Sequence, residues 1–478
     1  MFDIVIIGAG ISGACIAREL SKYDLKVLIL EKNNDVATET TKANSAIIHA
    51  GFDAKENSLM AKFNVLGNSM FDELARELNF PFKRNGSLVI ARNEEELESI
   101  KALKARGEKN NVPDLYILSK DETLKLEPYL KENILGSLLA KTGAIVGPWE
   151  MTTALLENAV DNGVKVLLSE EVVDITKEDD TFNIFTQNSE FHSKVIINCA
   201  GIHADTIHNM ICEKSYKISP RKGEYFVLTK DEGEKFNHTI FQAPTSLGKG
   251  ILVTPTVHGN LLVGPDAEDI YDKSSKSTSQ ERLKIIMETS KKTSDKINFG
   301  DQIRQFSGLR AESDRNDFII EEDSTVKNFI DVGGIKSPGL SSAPAVALEV
   351  LDILSENFNL KKKEKFISSV KKYVIFSELN YQEKNKLIKE NPKYGRIVCK
   401  CENITEAEII DSIHRNIGAT TVDGVKRRCR PGMGTCQGAF CGPKIQEILA
   451  RELDRSLEEI FLDSKSSYIL TKETKGDN

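Results

Sequence analysis

The sequence predicts an α/β fold of the Rossmann type, followed by a small cysteine-rich module. Three observations support this prediction. Residues 3–8 (Asp-Ile-Val-Ile-Ile-Gly) are typical of a strand buried on both faces, and they run directly into the string Gly-Ala-Gly-Ile-Ser-Gly. An amphipathic helix and a second apolar strand, which ends at Glu31, come next. Near the C-terminus, five of the 8 cysteines lie between residues 399 and 441.

Length and composition restrict the classes of function. At 478 residues the chain is long enough for two or three folded units. The net charge of -8 argues against nucleic acid as a partner, because phosphate binding needs a basic face. No run approaches the roughly 20 apolar residues that cross a bilayer, so we expect no transmembrane segment. The N-terminus lacks the basic start of a signal peptide. We therefore expect a cytoplasmic protein with reduced cysteines, and peripheral attachment to a membrane stays open.

The N-terminal glycines have separate physical tasks. Gly8 permits a tight turn, Gly10 lets backbone amides approach a pyrophosphate, and Gly13 lets the helix pack on the strand. The helix N-terminus offers N–H groups to phosphates, and the Glu31 carboxylate can accept hydrogen bonds from ribose hydroxyls. This unit predicts a dinucleotide site without separating FAD from NAD. Its predicted cofactor-binding residues are Gly8, Gly10, Ile11, Ser12, Gly13, Glu31 and Lys32.

Three later stretches distinguish between the two dinucleotides. They are Asn-Ser-Ala-Ile-Ile-His-Ala-Gly at 44–51, Val-Ile-Ile-Asn-Cys-Ala-Gly at 195–201 and Asp-Val-Gly-Gly-Ile-Lys-Ser-Pro-Gly-Leu at 331–340. Each resembles an FAD-contacting element of the D-amino-acid-oxidase-like superfamily, in which one FAD domain is assembled from scattered pieces. The resemblance covers about 1–360 and implies FAD in the single nucleotide site. It adds these cofactor-binding residues: Asn44, Ser45, His49, Val173, Ala200, Gly201, Gly334, Gly339 and Leu340.

The same resemblance implies an interleaved domain organisation. An α/β FAD-binding domain alternates with an antiparallel-sheet substrate domain, so the whole chain is α+β. The expected boundaries are about 1–80, 145–215 and 325–360 for the FAD domain, 81–144 and 216–324 for the substrate domain, 361–394 for a linker, 395–455 for the cysteine module and 456–478 for a C-terminal tail.

The substrate is suggested by segments between the FAD pieces. The stretches Arg-Lys-Gly-Glu-Tyr at 221–225 and Val-Thr-Pro-Thr at 253–256 resemble the anaerobic, iron–sulfur glycerol-3-phosphate dehydrogenases. The resemblance implies a small anionic substrate that is oxidised from alcohol to ketone. His49 and Tyr225 are then the candidates for handling the hydroxyl proton. Arg310 and Lys336 are the candidates for binding the anionic end.

Other functions share parts of this pattern. A 2-hydroxy acid such as 2-hydroxyglutarate, or an amine such as sarcosine, would use the same chemistry. A second basic residue beside Arg310 would favour a phosphate over a single carboxylate. Arg221 and Lys222 are expected to be structural. A more remote alternative is a non-catalytic electron carrier, for which the cysteine module alone would suffice.

The cysteine module has an unusual spacing. Cys399 and Cys401 form a C-x-C pair, and Cys436 and Cys441 form a C-x4-C pair about 35 residues later. Four thiolates suit a [2Fe–2S] cluster, and they would also suit structural zinc, although zinc ribbons usually use C-x2–4-C pairs. The string Gly-Met-Gly-Thr-Cys-Gln-Gly-Ala-Phe-Cys-Gly-Pro resembles the bacterioferritin-associated ferredoxin domain. Cys429 is surplus, either as a free thiol or as a ligand in place of Cys436.

The two cofactors together predict a direction of electron flow. A flavin accepts two electrons and can release them singly, whereas a [2Fe–2S] cluster carries one. We therefore expect electrons to leave through the cluster to a protein acceptor, such as a partner subunit with its own FAD and an NAD site.

Overall fold

The computed structural model describes residues 1–244, 250–358 and 360–472, so the last six residues of the expected tail lie outside it. No helix in these ranges is both long and apolar enough to cross a membrane. The helices, numbered in chain order, are α1 (Ile11–Leu20), α2 (Leu59–Leu78), α3 (Glu94–Lys109), α4 (Lys120–Leu126), α5 (Pro148–Asp161), α6 (Ala204–His208), α7 (Lys230–Gly233), α8 (Gln280–Ser290), α9 (Gly339–Asn357), α10 (Tyr381–Glu390), α11 (Glu406–Ile413), α12 (Val422–Cys429) and α13 (Gly442–Leu453).

The strands alternate with these helices along the chain. They are β1 (Phe2–Ile7), β2 (Val27–Glu31), β3 (Ile47–Ile48), β4 (Phe82–Lys83), β5 (Ser87–Ala91), β6 (Leu115–Ser119), β7 (Gly136–Ala140), β8 (Ala144–Val146), β9 (Lys165–Leu168), β10 (Val172–Glu178), β11 (Thr181–Thr186), β12 (Glu190–Asn198), β13 (Ile218–Leu228), β14 (Thr239–Gln242), β15 (Leu252–Pro255), β16 (Leu261–Gly264), β17 (Glu268–Asp269), β18 (Gln302–Ser313), β19 (Ile319–Glu322), β20 (Phe329–Gly333), β21 (Ile397–Cys399) and β22 (Ile404–Thr405).

The first large sheet has a parallel centre. Strands β9, β2, β1, β12 and β20 lie side by side and run in the same direction, as a sheet covered by helices requires. The hairpin β10–β11 extends the sheet from the first half of β12, and β19 pairs with β20 at the other edge. The buried faces of α1, α5 and α9 pack in one hydrophobic core with β1. The predicted Rossmann-type α/β fold is therefore confirmed.

The second large sheet is mostly antiparallel. Its strand order is β17-β13-β16-β15-β14-β5-β7-β6, and β18 runs along the other side of β13. Among its described strands, only β14 and β5 run parallel to each other. The long pair β13–β18 matters most for function, because it carries Tyr225, Arg221 and Arg310. Strand β19 lies within the range expected for the substrate domain, but it pairs in the first sheet.

The cysteine module is small and mainly helical. Helices α11, α12 and α13 surround a separate hydrophobic core that includes Val425, Ile445 and Leu449. The two-stranded ladder β21–β22 brings Cys399 to the edge of this core. The segment between the large sheets and the module contains α10, which begins with a capping box at Asn380. The module contacts the rest of the chain through α12 and α5.

Candidate functional site

A large cavity opens where the strands of the parallel sheet end. Its volume is about 1240 Å³, larger than the roughly 300–1,000 Å³ of common ligand sites, so it has room for a dinucleotide beside a small substrate. Residues from both large sheets form its wall. The predicted site residues on this wall are Gly8, Gly10, Ile11, Ser12, Glu31, Lys32, Asn44, Ser45, His49, Val173, Ala200, Gly201, Tyr225, Arg310, Lys336, Gly339 and Leu340.

The turn after β1 is shaped by close backbone approaches. Gly8 has φ +108°, and a Cβ there would lie 2.5 Å from the carbonyl oxygen of Cys199. A Cβ on Gly13 would lie 2.1 Å from the carbonyl oxygen of Gly8. Gly13 therefore packs beneath the turn rather than on the cavity wall. The Ile11 N–H at the start of α1 donates to Thr41 Oγ1 over 3.1 Å.

Glu31 joins the glycine turn to the end of β2. The Ala9 N–H donates to its Oε2 over 2.8 Å, and the Asn33 N–H donates to its Oε1 over 2.9 Å. The Asn33 side-chain Nδ2 also donates to Oε1 over 2.9 Å, so of the roughly four acceptor positions of a carboxylate one stays open for a ribose hydroxyl, on Oε2. The predicted ribose contact is therefore geometrically available.

The loop from 40 to 49 runs along the cavity. Asn44 turns its side chain back into this loop, because its Oδ1 accepts the Ala46 N–H over 2.7 Å and its Nδ2 donates to the Thr41 carbonyl over 2.8 Å. These bonds hold Ala46 at φ +57°, a conformation that L-residues rarely adopt. Asn44 thus shapes the loop that presents Ser45.

His49 is held from three sides. Its N–H donates to Ser341 Oγ on α9 over 2.7 Å. Its carbonyl oxygen accepts from Asn64 Nδ2 at 2.6 Å and Asn68 Nδ2 at 3.0 Å, both on α2. The ring Nε2 lies 3.3 Å from Ser337 Oγ. Sequence reasoning missed these partners, although two asparagines four residues apart on one helix face were an available signal.

Tyr225 is almost fully buried between the two sheets. Its ring stacks on Phe306 with the centroids 4.6 Å apart and the planes 8° apart. Its hydroxyl lies 3.2 Å from Ser45 Oγ. Because both partners are fixed, the phenol hydroxyl has one defined position on the cavity wall.

Two arginines face each other across the β13–β18 pair. Arg221 and Arg310 are directly opposite in register, so their side chains leave the same face of the sheet. Both line the cavity. Arg310 donates to the Asp266 carbonyl oxygen over 3.2 Å, and within the described ranges its guanidinium has no carboxylate partner. Arg221 has a loose contact with Asp269, Nε to Oδ1 at 3.5 Å.

The other predicted residues differ in their surroundings. Lys336 lines the cavity but forms an ion pair with Glu312, which offsets its charge. Lys222 points elsewhere, between Glu224 and Glu268. Gly334 lies behind the wall, and a Cβ there would meet Ser313 Cβ at 2.8 Å. His203, which sequence reasoning missed, lines the cavity, and burial together with Lys32 and Lys273 lowers its pKa to about 4.

The four predicted cluster cysteines come together as two pairs. Cys401 Sγ lies 3.7 Å from Cys436 Sγ. Cys399 shares a hydrogen bond with Cys441, and both are buried with 1% of their surface exposed. The hydrogen bond from Cys441, with backbone N–H groups of Gly432, Glu402 and Cys401, lowers the pKa of Cys399 to about 6. Two thiol pairs surrounded by N–H donors fit the two irons of a [2Fe–2S] cluster.

Close packing around the cysteines leaves no space for extra atoms at one position. A Cβ on Gly434 would lie 2.3 Å from Cys401 Cβ.

The surplus Cys429 has another partner, because its thiol donates to the Val425 carbonyl over 3.5 Å on the same helix. Burial raises the pKa of Cys429 to about 12.

A buried ion cluster joins the cysteine module to the connection between β2 and β3. Asp35 accepts from Arg428 Nη2 at 2.7 Å and from Arg427 Nη2 at 2.8 Å. Asp463 also pairs with Arg427 at 2.8 Å. Burial alone would raise the pKa of Asp35, but the two guanidinium groups outweigh it and hold the pKa well below its usual range. Sequence reasoning missed this cluster.

Comparisons with known proteins agree with this arrangement. Residues 3–353 match the model of the FAD dependent oxidoreductase family DAO, and residues 397–451 match the BFD-like [2Fe-2S] binding domain. The chain is 53% identical to a glycerol 3-phosphate dehydrogenase of Caloramator mitchellensis over 100% of both chains. It is 37% identical to a glycerol 3-phosphate oxidase of Mycoplasma genitalium, over 76% of this chain and 96% of that one.

A solved structure extends the comparison to three dimensions. The dithionite-reduced L-alpha-glycerophosphate oxidase of Mycoplasma pneumoniae, with FAD bound, superposes with a TM-score of 0.75 at 35% identity. The match covers 78% of this chain and 99% of that chain. FAD and a [2Fe–2S] cluster are therefore the cofactors of the two parts of this chain.

Proposed function

Because the chain belongs to the DAO family of FAD-dependent oxidoreductases, we propose that it oxidises glycerol 3-phosphate to dihydroxyacetone phosphate and passes the electrons through its cluster to a protein partner. The dehydrogenase and oxidase relatives both act, by their names, on glycerol 3-phosphate, which supports the choice of substrate.

The observation that best supports glycerol 3-phosphate as the substrate is the pair formed by Arg221 and Arg310. A phosphate dianion needs more cationic contacts than one carboxylate, and Arg221 and Arg310 leave the same face of the sheet at opposite positions and both line the cavity. Like charges placed opposite each other on a sheet destabilise it, so an anion between them would relieve the repulsion. Lys336 is the weaker candidate, because Glu312 already neutralises it.

The chain's own residues then have distinct roles. Bound FAD supplies the hydride acceptor. Arg310 and Arg221 bind the phosphate and so place the C2 carbon. His49 accepts the hydroxyl proton at Nε2, either in place of its contact with the Ser337 hydroxyl or through that hydroxyl, which lies 3.3 Å away. Tyr225 and Ser45 hold the substrate through their paired hydroxyls.

The exit of electrons through the cluster is supported by a contrast among the relatives. The relative that matches the full chain, cysteine module included, is called a dehydrogenase. The oxidase of Mycoplasma genitalium matches over 76% of this chain and almost its whole own length, so the remaining quarter has no counterpart there. We propose that this extra part redirects electrons from oxygen to a protein acceptor, such as a subunit with its own FAD and an NAD site.

Anaerobic stopped-flow spectroscopy of the purified chain tests the proposal. Glycerol 3-phosphate should bleach the flavin absorbance rapidly, whereas 2-hydroxyglutarate and sarcosine should not. Faster bleaching by either of those two compounds would replace the proposed substrate. The chain alone should not reduce NAD, and rapid NAD reduction would contradict the need for a partner. If no compound bleaches the flavin, the chain acts as an electron carrier instead.

A further inference from the structure

The cluster cysteines are buried to different extents. Cys399 and Cys441 form the buried pair, each with 1% of its surface exposed. Cys401 is exposed, and Cys436, its partner at 3.7 Å, is partly exposed. Cys401 and Cys436 would therefore hold the side of a bound cluster that is nearest to solvent, and this side would offer the shortest path for an electron to a partner.

An aromatic side chain stands next to this exit. The Phe440 backbone N–H contacts the Cys436 thiol, and 81% of the surface of Phe440 is exposed. Large aromatic residues are enriched at the centres of protein–protein interfaces, where they often contribute much of the binding energy. A phenylalanine this exposed beside a metal ligand gains nothing from the fold, and it is suited to insertion into a partner.

Three exposed cations are adjacent to the cluster ligands, by sequence or by contact. Lys400 lies between two cluster ligands, Lys444 lies on the first turn of α13, and Arg304 contacts Gln437 beside Cys436. All three are exposed, and within the described ranges none of them forms a salt bridge. The one acid next to a ligand, Glu402, is buried and already paired with Lys230 at 3.1 Å and Arg430 at 3.6 Å.

This local charge is opposite to that of the whole chain, which carries a net charge of -8. Glu447, one turn further along α13, is the exposed acid that comes next in the sequence. We name the surface formed by Lys400, Cys401, Phe440, Lys444 and Arg304 the exit face. The exit face combines one exposed aromatic side chain with three cations. It is therefore complementary to a partner that has an apolar pocket within an acidic surface.

We propose that the exit face is the docking surface for an acidic protein that accepts one electron at a time. The proposal rests on the proposed function, because it assumes that electrons leave through the cluster. One turnover oxidises glycerol 3-phosphate to dihydroxyacetone phosphate, reduces two molecules of a one-electron acceptor and releases two protons. A bound [2Fe–2S] cluster would supply one-electron transfer, so two acceptor molecules would be reduced one after the other.

Two forms of one acceptor test the proposal. Native horse cytochrome c is basic, and its fully succinylated form is acidic and carries the same haem. We expect the substrate-reduced full-length holoenzyme to reduce the succinylated form at least about tenfold faster at 10 mM salt, because electrostatic steering changes association rates about 10- to 1,000-fold. The preference should disappear near 0.5 M salt, where charges are screened within about 4 Å.

Variants test whether the faster reduction of the succinylated form depends on the exit face. Phe440→Ser should slow reduction of the succinylated form about 30-fold, the effect of losing an interface hot spot of about 2 kcal/mol. The double variant Lys400→Gln/Lys444→Gln should remove most of the salt dependence. Tyr271→Ser and Lys284→Gln are the controls. Tyr271 is 99% exposed, and Lys284 lies on helix α8, outside the cysteine module. Iron content and menadione reduction should be unchanged in every variant.

A binding measurement provides a readout independent of turnover. Carbodiimide should cross-link carboxylates of succinylated cytochrome c to Lys400 and Lys444 in the wild-type chain, as mapped by mass spectrometry. Cross-links spread over other lysines, or a faster reaction with native cytochrome c, would overturn the proposal. So would a Phe440→Ser variant that changes only the oligomeric state of the chain.

These experiments distinguish a failure of the docking surface from a failure of the proposed function. If glycerol 3-phosphate fails to bleach the flavin, the acceptor experiments are run on dithionite-reduced enzyme, and they still test the exit face. If the substrate bleaches the flavin but the two cytochromes react equally, the oxidation stands and the docking surface is wrong.

Discussion

Single residues shape both the proposed anion site and the predicted cluster site. Arg310 is a cation on a cavity wall and has no carboxylate partner among the described residues, an arrangement that suits an external anion. Gly434 has the opposite role, because only the absence of a side chain lets Cys401 approach so closely. One residue provides a charge and the other provides space.

Arg310→Ala should weaken substrate use while leaving both cofactors in place. Removing one partner of a buried charge contact typically costs about 2–5 kcal/mol, so kcat/KM for glycerol 3-phosphate should fall roughly 30- to 4,000-fold, mainly through KM. Steady-state kinetics with a dye acceptor measures this effect. Arg76→Ala is the control, because Arg76 is 75% exposed on α2. An unchanged KM would remove Arg310 from the anion site.

Gly434→Ala should abolish the cluster and spare the flavin. The new methyl group would lie 2.3 Å from Cys401 Cβ, so the ligand must move. We expect iron content well below that of the wild type and normal FAD absorbance. Gly442→Ala is a matched control beside Cys441, because no atom lies within 4 Å of its added Cβ. Full iron content in the Gly434 variant would mean that the loop adjusts without displacing its thiol.

Among the elements of the fold, the connection between β2 and β3 contacts the largest number of predicted sites. It starts beside Glu31, contacts the N-terminus of α1 through Thr41, and ends at the strand before His49. Four residues after Glu31 it carries Asp35, which binds Arg427 and Arg428 of α12. One connection therefore contacts the predicted ribose site, the predicted flavin site and the cluster module.

Asp35→Asn should loosen the cluster module. Breaking a buried ion pair typically costs about 3–5 kcal/mol, because it leaves an unpaired charge. The folded pKa of Asp35 lies below the usual value of about 3.9, so its stabilisation is fully present above pH 4 and is lost as the pH falls further. The temperature at which cluster absorbance disappears should therefore drop equally at pH 7 and pH 5.

The control for this prediction is Asp352→Asn, since Asp352 is exposed on α9. It should leave the transition temperature unchanged at both pH values. A deficit for the Asp35 variant that already shrinks between pH 7 and pH 5 would contradict the low pKa of Asp35.

For the whole molecule, local patterns predicted more than distant contacts. The strand, glycine turn, helix and acidic residue lie within 31 residues, and each follows from backbone geometry, so the nucleotide-binding unit was readable from the sequence. The cysteine spacing was equally local. The contact of Asp35 with Arg428 joins residues 393 positions apart, and no periodicity signals it. The opposition of Arg221 and Arg310 likewise depends on a strand register that only the fold determines.

The Asp35 ion cluster also bears on how the enzyme is assembled. The connection that carries Asp35 contacts the predicted FAD site at both of its ends and the iron–sulfur module through Asp35, so we expect that ordering it for one prosthetic group prepares it for the other. Such linkage is reciprocal and typically amounts to a 5- to 150-fold change in affinity. Cys399→Ser/Cys441→Ser chains without cluster should therefore bind FAD at least about fivefold more weakly, by fluorescence titration, than Cys429→Ser chains. Equal affinities would mean that the two prosthetic groups are installed independently.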